Sequence, residues 1–329
     1  MMKKLDQETG EGLSILIQPL TSARHAIYVA HLLDPSQHAY NIAHYREVEG
    51  YLDIDCFSQA VDLVLSKTPA YRSIVKIVNE IPYLEVRPLE GSALQLVDVS
   101  QEVDPEAAAS AWIDREKRVP FSLTQGPLFK WCLIKLHSNR FFIFTCIHHL
   151  IADGAGGFQF ERNVFNAYSA IVHGEEVLVS GGADTALEFE QSYLVSAQFL
   201  EDQAFWRREL DGVEPQVGFS GASSAKTKLF YRSRAELSAE IIRELKLFCK
   251  ANKIALSRAL IAIASLYYAR ITSQSDVVVE IPVSLRKTPV DRMAVDMRSS
   301  SIFLRLELNP SMSMGEFLQY FQKKMRSAL

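Results

Sequence analysis

The sequence predicts a mixed α/β (α+β) fold, because helical and extended patterns alternate along the chain. Two long apolar runs, 128–136 and 141–147, are joined by a short polar break and predict two paired central strands. Directly after Gly154 the apolar residues change to helical spacing. A buried strand that ends in a loop and a helix is therefore the central feature of the predicted fold.

The other elements of the first half follow from cap and turn residues. Ser22 precedes one helical stripe, Asp53 precedes another, and Asp104 followed by proline opens a third. The helix after Gly154 is predicted to end at Gly174, the usual type of residue beyond a helix C-terminus. The predicted strands are a short one at 44–48 and a hairpin of 72–78 and 83–87.

The second half contains two stretches typical of connections, 174–187 and 212–226. We place the domain boundary in the first of them, which predicts domains 1–180 and 181–329. The elements predicted around the second connection are a helix at 189–210, a strand at 230–236, helices at 239–251 and 256–271, strands at 277–283 and 301–307, and a final helix from about Ser313.

Composition and charge exclude several classes of protein. Lys and Arg number 35 against 39 Asp and Glu, a net charge of −4, so no general basic field would attract nucleic acid or an anionic membrane. The four cysteines lie far apart, and neither a zinc site nor a disulfide framework is indicated. Residues 1–12 lack the apolar core of a signal peptide, and the expected compartment is the cytoplasm.

The chemistry is expected in the heptad, residues 148–154 (HHLIADG). Histidine exchanges protons near neutral pH, and a glycine allows close approach of a backbone or a substrate. An adjacent histidine pair is a poor metal chelate, since successive side chains diverge at a strand end. No nucleophile elbow, phosphate-binding loop or zincin motif is present. Direct group transfer assisted by a histidine is the chemistry that remains, with no metal site.

Four segments then carry a family resemblance. Besides the heptad, these are residues 20–42 (LTSARHAIYVAHLLDPSQHAYNI), 119–131 (VPFSLTQGPLFKW) and the end of 255–286 (SDVVVEIPVSLR), which follow one another in the order and with the spacing of the family. Together they resemble the condensation domain of nonribosomal peptide synthetases, within the chloramphenicol acetyltransferase-like acyltransferases.

The resemblance implies two chloramphenicol acetyltransferase-like lobes that form a V with a central tunnel. Donor and acceptor carrier proteins of the synthetase would insert 4′-phosphopantetheine arms, and the domain itself would bind no cofactor. His149 is implied as the catalytic residue that deprotonates or orients the acceptor amine, with His148 in support. Gly154 would leave space beside the reacting carbonyl. Asp153 is implied to pair with Arg286 as a structural feature of the site.

The sequence also departs from the family pattern. Arg24 replaces a usual glutamine, and Tyr28 stands where tryptophan is frequent. The small triplet 155–157 (AGG) either widens the entrance at the helix or allows tight packing there. Ala155 and Ser300, which stands where asparagine is frequent, are candidate tunnel residues. Scatter over the surface is expected for the histidines of the opening segment, His25, His31, His38 and His44.

The leading functional prediction is amide formation between a carrier-bound acyl or peptidyl thioester and the amine of a carrier-bound aminoacyl group. One alternative is a stand-alone acyltransferase that uses acyl-CoA or an acyl carrier with a small amine or alcohol. The other is a catalytically silent scaffold that binds carrier proteins. The start Met-Met-Lys-Lys predicts a true N-terminus. Because members of the family run on past the point where this chain stops, the resemblance implies either a fragment or a variant that lacks part of its second lobe. The expected partners are carrier proteins and adjacent synthetase domains.

Overall fold

The computed structural model describes residues 5–8, 14–36, 38–180, 186–216, 218 and 235–329. It separates into two compact units. The first unit comprises Met1–Val195 and Ser284–Ser299, and the second comprises Ser196–Val283 and Ser300–Leu329. We call residues 284–299 the returning segment, because the chain comes back to the first unit there. The lobe boundary at 180/181 remains a prediction.

Strands and helices are mixed throughout the described residues. The strands are β1 (Leu5–Glu8), β2 (Ser14–Pro19), β3 (Asn41–Glu49), β4 (Ser73–Val78), β5 (Ile81–Val86), β6 (Leu94–Asp98), β7 (Phe129–His137), β8 (Arg140–His148), β9 (Asp276–Ser284) and β10 (Ser299–Glu307). The helices are α1 (Ser22–Leu33), α2 (Ile54–Ser66), α3 (Pro105–Glu116), α4 (Gly154–His173), α5 (Ala186–Leu194), α6 (Ala197–Glu209), α7 (Ala239–Ala251), α8 (Leu256–Thr272), α9 (Pro289–Arg292) and α10 (Met314–Ala328).

The main sheet of the first unit has the strand order β3-β8-β7-β6. Its centre is the antiparallel pair β7 and β8, the two apolar runs that the sequence predicts as central strands. Nearly every residue of β8 is buried, as expected for a strand with both faces covered. β6 pairs in parallel with β7 at the edge of this sheet. The sequence analysis missed this strand, because it has only five residues and most of them are exposed.

A second sheet in the same unit has the order β1-β2-β5-β4. The predicted hairpin is confirmed as β4 and β5, which pair from Ser73 opposite Val86 to Val78 opposite Ile81. β2 continues the sheet on the other side of β5 through antiparallel pairing. The sequence analysis did not predict β1 or β2.

Each helix on the main sheet has one apolar face, and that face packs against the sheet. Asp53 caps α2, which buries Phe57, Val61, Val64 and other residues of one stripe. α4 begins after its cap, Asp153, and ends at Gly174, whose φ of 68° is the left-handed conformation that glycine adopts readily. Both predicted helices are confirmed.

The second unit has its own core, formed by α7, α8 and α10 with the two-stranded sheet of β9 and β10. Ala259 and Ala262 of α8 are fully buried, together with Phe321 of α10. A capping box of Ser313 and Glu316 starts α10, as the sequence predicts for a helix from Ser313.

In the middle of the chain, the sequence predicts a helix at 189–210 and a strand at 230–236. The single helix predicted at 189–210 is wrong, because α5 and α6 are separate helices. Ser196 caps α6 by accepting a hydrogen bond from the Phe199 backbone N–H, and this cap starts a new helix. The strand predicted at 230–236 lies almost entirely outside the described residues.

In the described part of the chain, no single helix is long and apolar enough to cross a membrane. α7 and α8 meet those criteria only as a pair, and they are bent by 99° relative to each other.

Candidate active site

The heptad forms the turn between the main sheet and α4. His148 is the last residue of β8, and its backbone N–H donates to the Leu128 carbonyl at 2.9 Å. Further along the turn, Asp153 caps α4 by accepting from the Gly156 N–H at 2.8 Å. The turn is therefore fixed at one end by a backbone hydrogen bond and at the other by the side-chain cap of Asp153.

His149 is the half-buried histidine of the pair. Its backbone N–H donates to the Tyr40 carbonyl at 2.8 Å, which fixes the main chain. Its side-chain Nδ1 is buried and has no hydrogen-bond partner among the described residues. The described protein therefore leaves one hydrogen-bonding position of this half-buried imidazole unused.

His148 has a different environment. It is 2% exposed, its Nδ1 accepts the Leu150 backbone N–H at 3.2 Å, and the rings of His31 and Phe121 pack edge-on against it. Burial, followed by the effects of His31 and His149, lowers its pKa to about 3. His148 is thus a neutral, internally bonded ring that supports the turn. The expectation that His31 lies on the surface is wrong, since it packs against this ring.

The low pKa of His148 predicts a loss of stability in mild acid. The unfolded chain takes up this proton near pH 6.5 and the folded chain only near pH 3, so stability is full above about pH 6.5 and falls as the pH drops toward 3. Each protonation contributes at most about 1.4 kcal/mol per pH unit. Urea unfolding should show a smaller slope in His148→Asn, whose amide oxygen can accept the same N–H. His31, whose pKa is also lowered by burial, and carboxyl groups with a lowered pKa, such as Glu161, contribute to the remaining slope. An unchanged slope in the variant would contradict this assignment.

Asp153 and Arg286 form the ion pair that the resemblance implies. Their side chains are 6% and 5% exposed, and an Arg286 Nη lies 2.5 Å from Asp153 Oδ2. The other Nη of Arg286 donates to the carbonyls of Ala294 and Asp296, at 3.3 and 2.8 Å. The pair therefore joins the start of α4 to the returning segment.

A second buried arginine, which the sequence analysis did not identify, completes this network. The backbone N–H of Arg298 donates to Asp153 Oδ2 at 3.0 Å. Its guanidinium contacts both Asp296 and Asp291. These salt bridges fix the conformation in which the Arg298 N–H points at Asp153. Asp153 is 145 positions away from Arg298, so no local pattern would have revealed this contact.

The small residues after the heptad have different environments. Gly156 packs directly on the returning segment, and a Cβ there would lie 2.7 Å from the Asp296 carbonyl oxygen and 2.8 Å from that of Val295. A Cβ at Gly154 would meet no atom within 4 Å. Ala155 is exposed. Of the two interpretations of the triplet, tight packing is the one that Gly156 supports.

This difference in environment predicts that two glycine substitutions have different effects on stability. Gly156→Ala forces backbone atoms apart and should lower the free energy of unfolding by about 1–3 kcal/mol. Gly154→Ala adds its methyl group to open space and should change stability by less than about 0.5 kcal/mol. Urea unfolding of both variants checks the prediction. Equal losses of stability in the two variants would contradict the close contact between Gly156 and the returning segment.

A small pocket opens beside Gly154, under α4. In its lining, the buried carboxylate of Glu161 contacts His44, accepts from Arg46 at 2.8 Å and accepts from the Thr145 hydroxyl at 3.1 Å. Burial alone would raise the pKa of Glu161, but the hydrogen bonds from His44 and Arg46 outweigh it and lower the pKa. The pocket thus has a fixed, fully paired negative charge at one side.

The remaining candidate, Ser300, is half-buried in β10 and belongs to the second unit. The other predicted site residues, from His148 to Ala155 together with Arg286, come together in the first unit. No group of three or more His, Cys, Asp or Glu side chains is placed to hold a metal ion in the described ranges.

Comparison with known proteins defines the class of this site. A family model described as the condensation domain matches residues 16–329. The match and the fold define an enzyme of the acyltransferase class. The chain belongs to the condensation-domain family, whose members form amide bonds by acyl transfer.

Relatives and solved structures agree with this assignment. An isonitrile lipopeptide synthase of Streptomyces coeruleorubidus is 28% identical over 95% of the chain, which spans 21% of that protein. A dimodular nonribosomal peptide synthase of Bacillus subtilis strain 168 is 28% identical over 94% of the chain, which spans 13% of it. The chain thus spans about a fifth or less of these two relatives.

Two solved structures confirm the mixed α/β fold. The first condensation domain of the calcium-dependent antibiotic synthetase, in complex with a substrate analogue, gives a TM-score of 0.82 at 26% identity, covering 94% of this chain and 74% of that one. A mutant starter condensation domain of rhizomide synthetase, in complex with C8-CoA, gives 0.80 at 27% identity, covering 95% and 71%.

Proposed function

We propose that the chain joins a carrier-bound acyl or peptidyl thioester to the amine of a carrier-bound aminoacyl group. The observation that carries the proposal is His149, whose Nδ1 lacks a protein partner in the described chain while its backbone is fixed at the end of a buried strand. A half-buried imidazole on a fixed main chain is the group that this reaction needs.

The proposed reaction is a direct transfer. The acceptor nitrogen attacks the donor thioester carbonyl, the C–N bond forms, and the C–S bond breaks. His149 accepts the proton from the attacking amine and returns it to the departing thiolate. His148 stays neutral and supports the ring of His149 through the shared turn.

Gly154 and the candidate tunnel residues would shape the space around the reacting groups. Because a Cβ at Gly154 meets no protein atom, the space beside it is free for a substrate. We place Ala155, exposed in the first turn of α4, at the edge of this space. Ser300 is proposed to line the tunnel from the second lobe.

The proposed partners are donor and acceptor carrier proteins and adjacent synthetase domains. Similarity to parts of multidomain peptide synthases supports this proposal. In such systems the 4′-phosphopantetheine arm is held by the carrier, and this domain would bind no cofactor of its own. Two lobes, 1–180 and 181–329, around a tunnel, and a cytoplasmic location, belong to the same proposal.

One specific observation favours a second donor. A related starter condensation domain was solved with C8-CoA, so an acyl-CoA donor fits the family as well. The acceptor would then be an aminoacyl carrier or a small amine, and the role of His149 would be unchanged.

Reconstituted turnover distinguishes these possibilities. The chain is incubated with an aminoacyl carrier protein and either an acyl carrier protein or acyl-CoA, and intact-protein mass spectrometry detects the acylated acceptor. We expect product with the acyl carrier. Product only with acyl-CoA would select the second donor. Carrier binding without turnover under either condition would leave a scaffold and contradict the proposed enzyme.

A further inference from the structure

The opening segment of the chain contacts three consecutive residues of the heptad. Arg24 of α1 donates from Nε to the Leu150 carbonyl at 3.2 Å. The ring of His31, two turns later on the same helix, lies 5.4 Å from the ring of His148. The carbonyl of Tyr40 accepts the His149 backbone N–H at 2.8 Å.

Arg24 is the exceptional member of this set. It is fully buried at 0% exposure and lies on the buried face of α1 with Ile27 and His31. Burial of a guanidinium is costly, and the Nε–H of Arg24 is used by the Leu150 carbonyl. At this position the family usually has glutamine, which is neutral and shorter.

The contact of Arg24 has a direct link to the reacting group. Leu150 is the residue after His149. Its side chain is buried, and its carbonyl accepts the hydrogen bond from Arg24. A main chain that is free to rotate at Leu150 would also move the imidazole of His149. The hydrogen bonds of His148 and Asp153 fix the heptad through β8 and α4, whereas Arg24 holds the turn between them.

We infer that Arg24 is a positioning residue for His149, acting through the Leu150 carbonyl. This inference rests on the proposed function. Arg24 would fix the imidazole of His149 relative to the acceptor amine without contacting the substrate itself. Displacement of a reacting group by about 1 Å can reduce a rate about 100-fold.

Arg72 provides a matched control. It is a half-buried arginine of the first unit, and it donates to the carbonyls of Leu65, Ser66 and Arg87, at 3.2, 3.3 and 2.7 Å. None of these acceptors belongs to the heptad. Arg72→Met should therefore lower stability without changing the geometry of His149.

The experiment compares Arg24→Met, Arg24→Lys and Arg72→Met in the full chain. We expect kcat of Arg24→Met to fall roughly 10- to 100-fold with KM for both substrates within about threefold, and Arg24→Lys to recover part of the loss. Arg72→Met should keep kcat within about twofold of the wild-type value, because its contacts lie away from the reacting groups. Histidine-selective NMR of the protein without substrate should show shifted His149 ring signals in Arg24→Met and unshifted ones in Arg72→Met.

The outcomes separate the two proposals. If His149→Ala abolishes turnover but Arg24→Met keeps the wild-type kcat and His149 signals, the positioning role is wrong and the proposed function stands. If the wild-type chain shows no turnover with either donor, the proposed function fails, and a shift of the His149 signals in Arg24→Met still tests the contact. Should Arg24→Met not fold, Arg24→Lys and Arg24→Gln supply the same readouts, and unchanged kcat and signals in both would overturn the inference.

Discussion

Replacement of His149 by alanine is expected to reduce turnover roughly 100- to 10,000-fold while the fold is retained. Its Nδ1 makes no hydrogen bond to the described residues, so removal of the ring breaks no bond at that atom. The backbone N–H that pairs with the Tyr40 carbonyl is unaffected by the substitution. Activity should therefore be lost with little loss of stability, the opposite of what a structural histidine would show.

Two controls sharpen this expectation. His173→Ala removes an exposed histidine at the end of α4 and should keep turnover unchanged. His148→Asn should lower stability more than His149→Ala does, because His148 is buried and bonded within the turn. Single-turnover acylation of an aminoacyl carrier, with urea unfolding in parallel, measures both quantities. Wild-type turnover in His149→Ala would remove His149 from the mechanism.

The elements that the sequence predicted correctly are those with a strong local signal. β7 and β8 are continuous apolar runs, and α2 and α4 combine a cap residue with a long apolar stripe. β6 carried a weak signal, because its five residues face mostly solvent and its pairing with β7 is set by the fold. The break between α5 and α6 depends on one serine cap inside a pattern that otherwise continues as a helix.

The residues of the candidate site also differ in how far the sequence alone could identify them. The heptad is contiguous in sequence, so its residues could be identified without a structure. The partner of Asp153 is 133 positions away, and only the family resemblance suggested Arg286. Arg24 attracted notice only as a departure from the family pattern, and its contact with Leu150 spans 126 positions. Such contacts follow from packing, which a single sequence does not encode locally.

Arg24 and Arg286 both fix the main chain around His149, but at different points. Arg24 holds the Leu150 carbonyl just after the histidine, and Arg286 holds the Asp153 carboxylate that caps α4. Arg24 is therefore expected to affect the rate with a limited effect on stability. Arg286, whose partner is a buried charge, is expected to affect stability first.

Arg286→Ala is accordingly expected to lower the free energy of unfolding by about 3–5 kcal/mol. The substitution leaves Asp153 as a buried carboxylate without its cation, although the N–H groups of Gly156 and Arg298 still donate to it. It also removes the donors to the Ala294 and Asp296 carbonyls, which loosens the returning segment against Gly156. Any loss of turnover should follow this loss of structure.

An exposed ion pair and a double variant test this argument. Arg115→Ala breaks the surface contact with Glu116 and should cost no more than about 1 kcal/mol. Asp153→Asn with Arg286→Met removes both charges, and the amide oxygen of the introduced asparagine can still accept N–H groups at the helix cap. This double variant should be more stable than Arg286→Ala, since most of the penalty in the single variant is the stranded carboxylate. Urea unfolding gives all three values, and an Arg286→Ala protein with wild-type stability and turnover would show that the pair does not hold the site together.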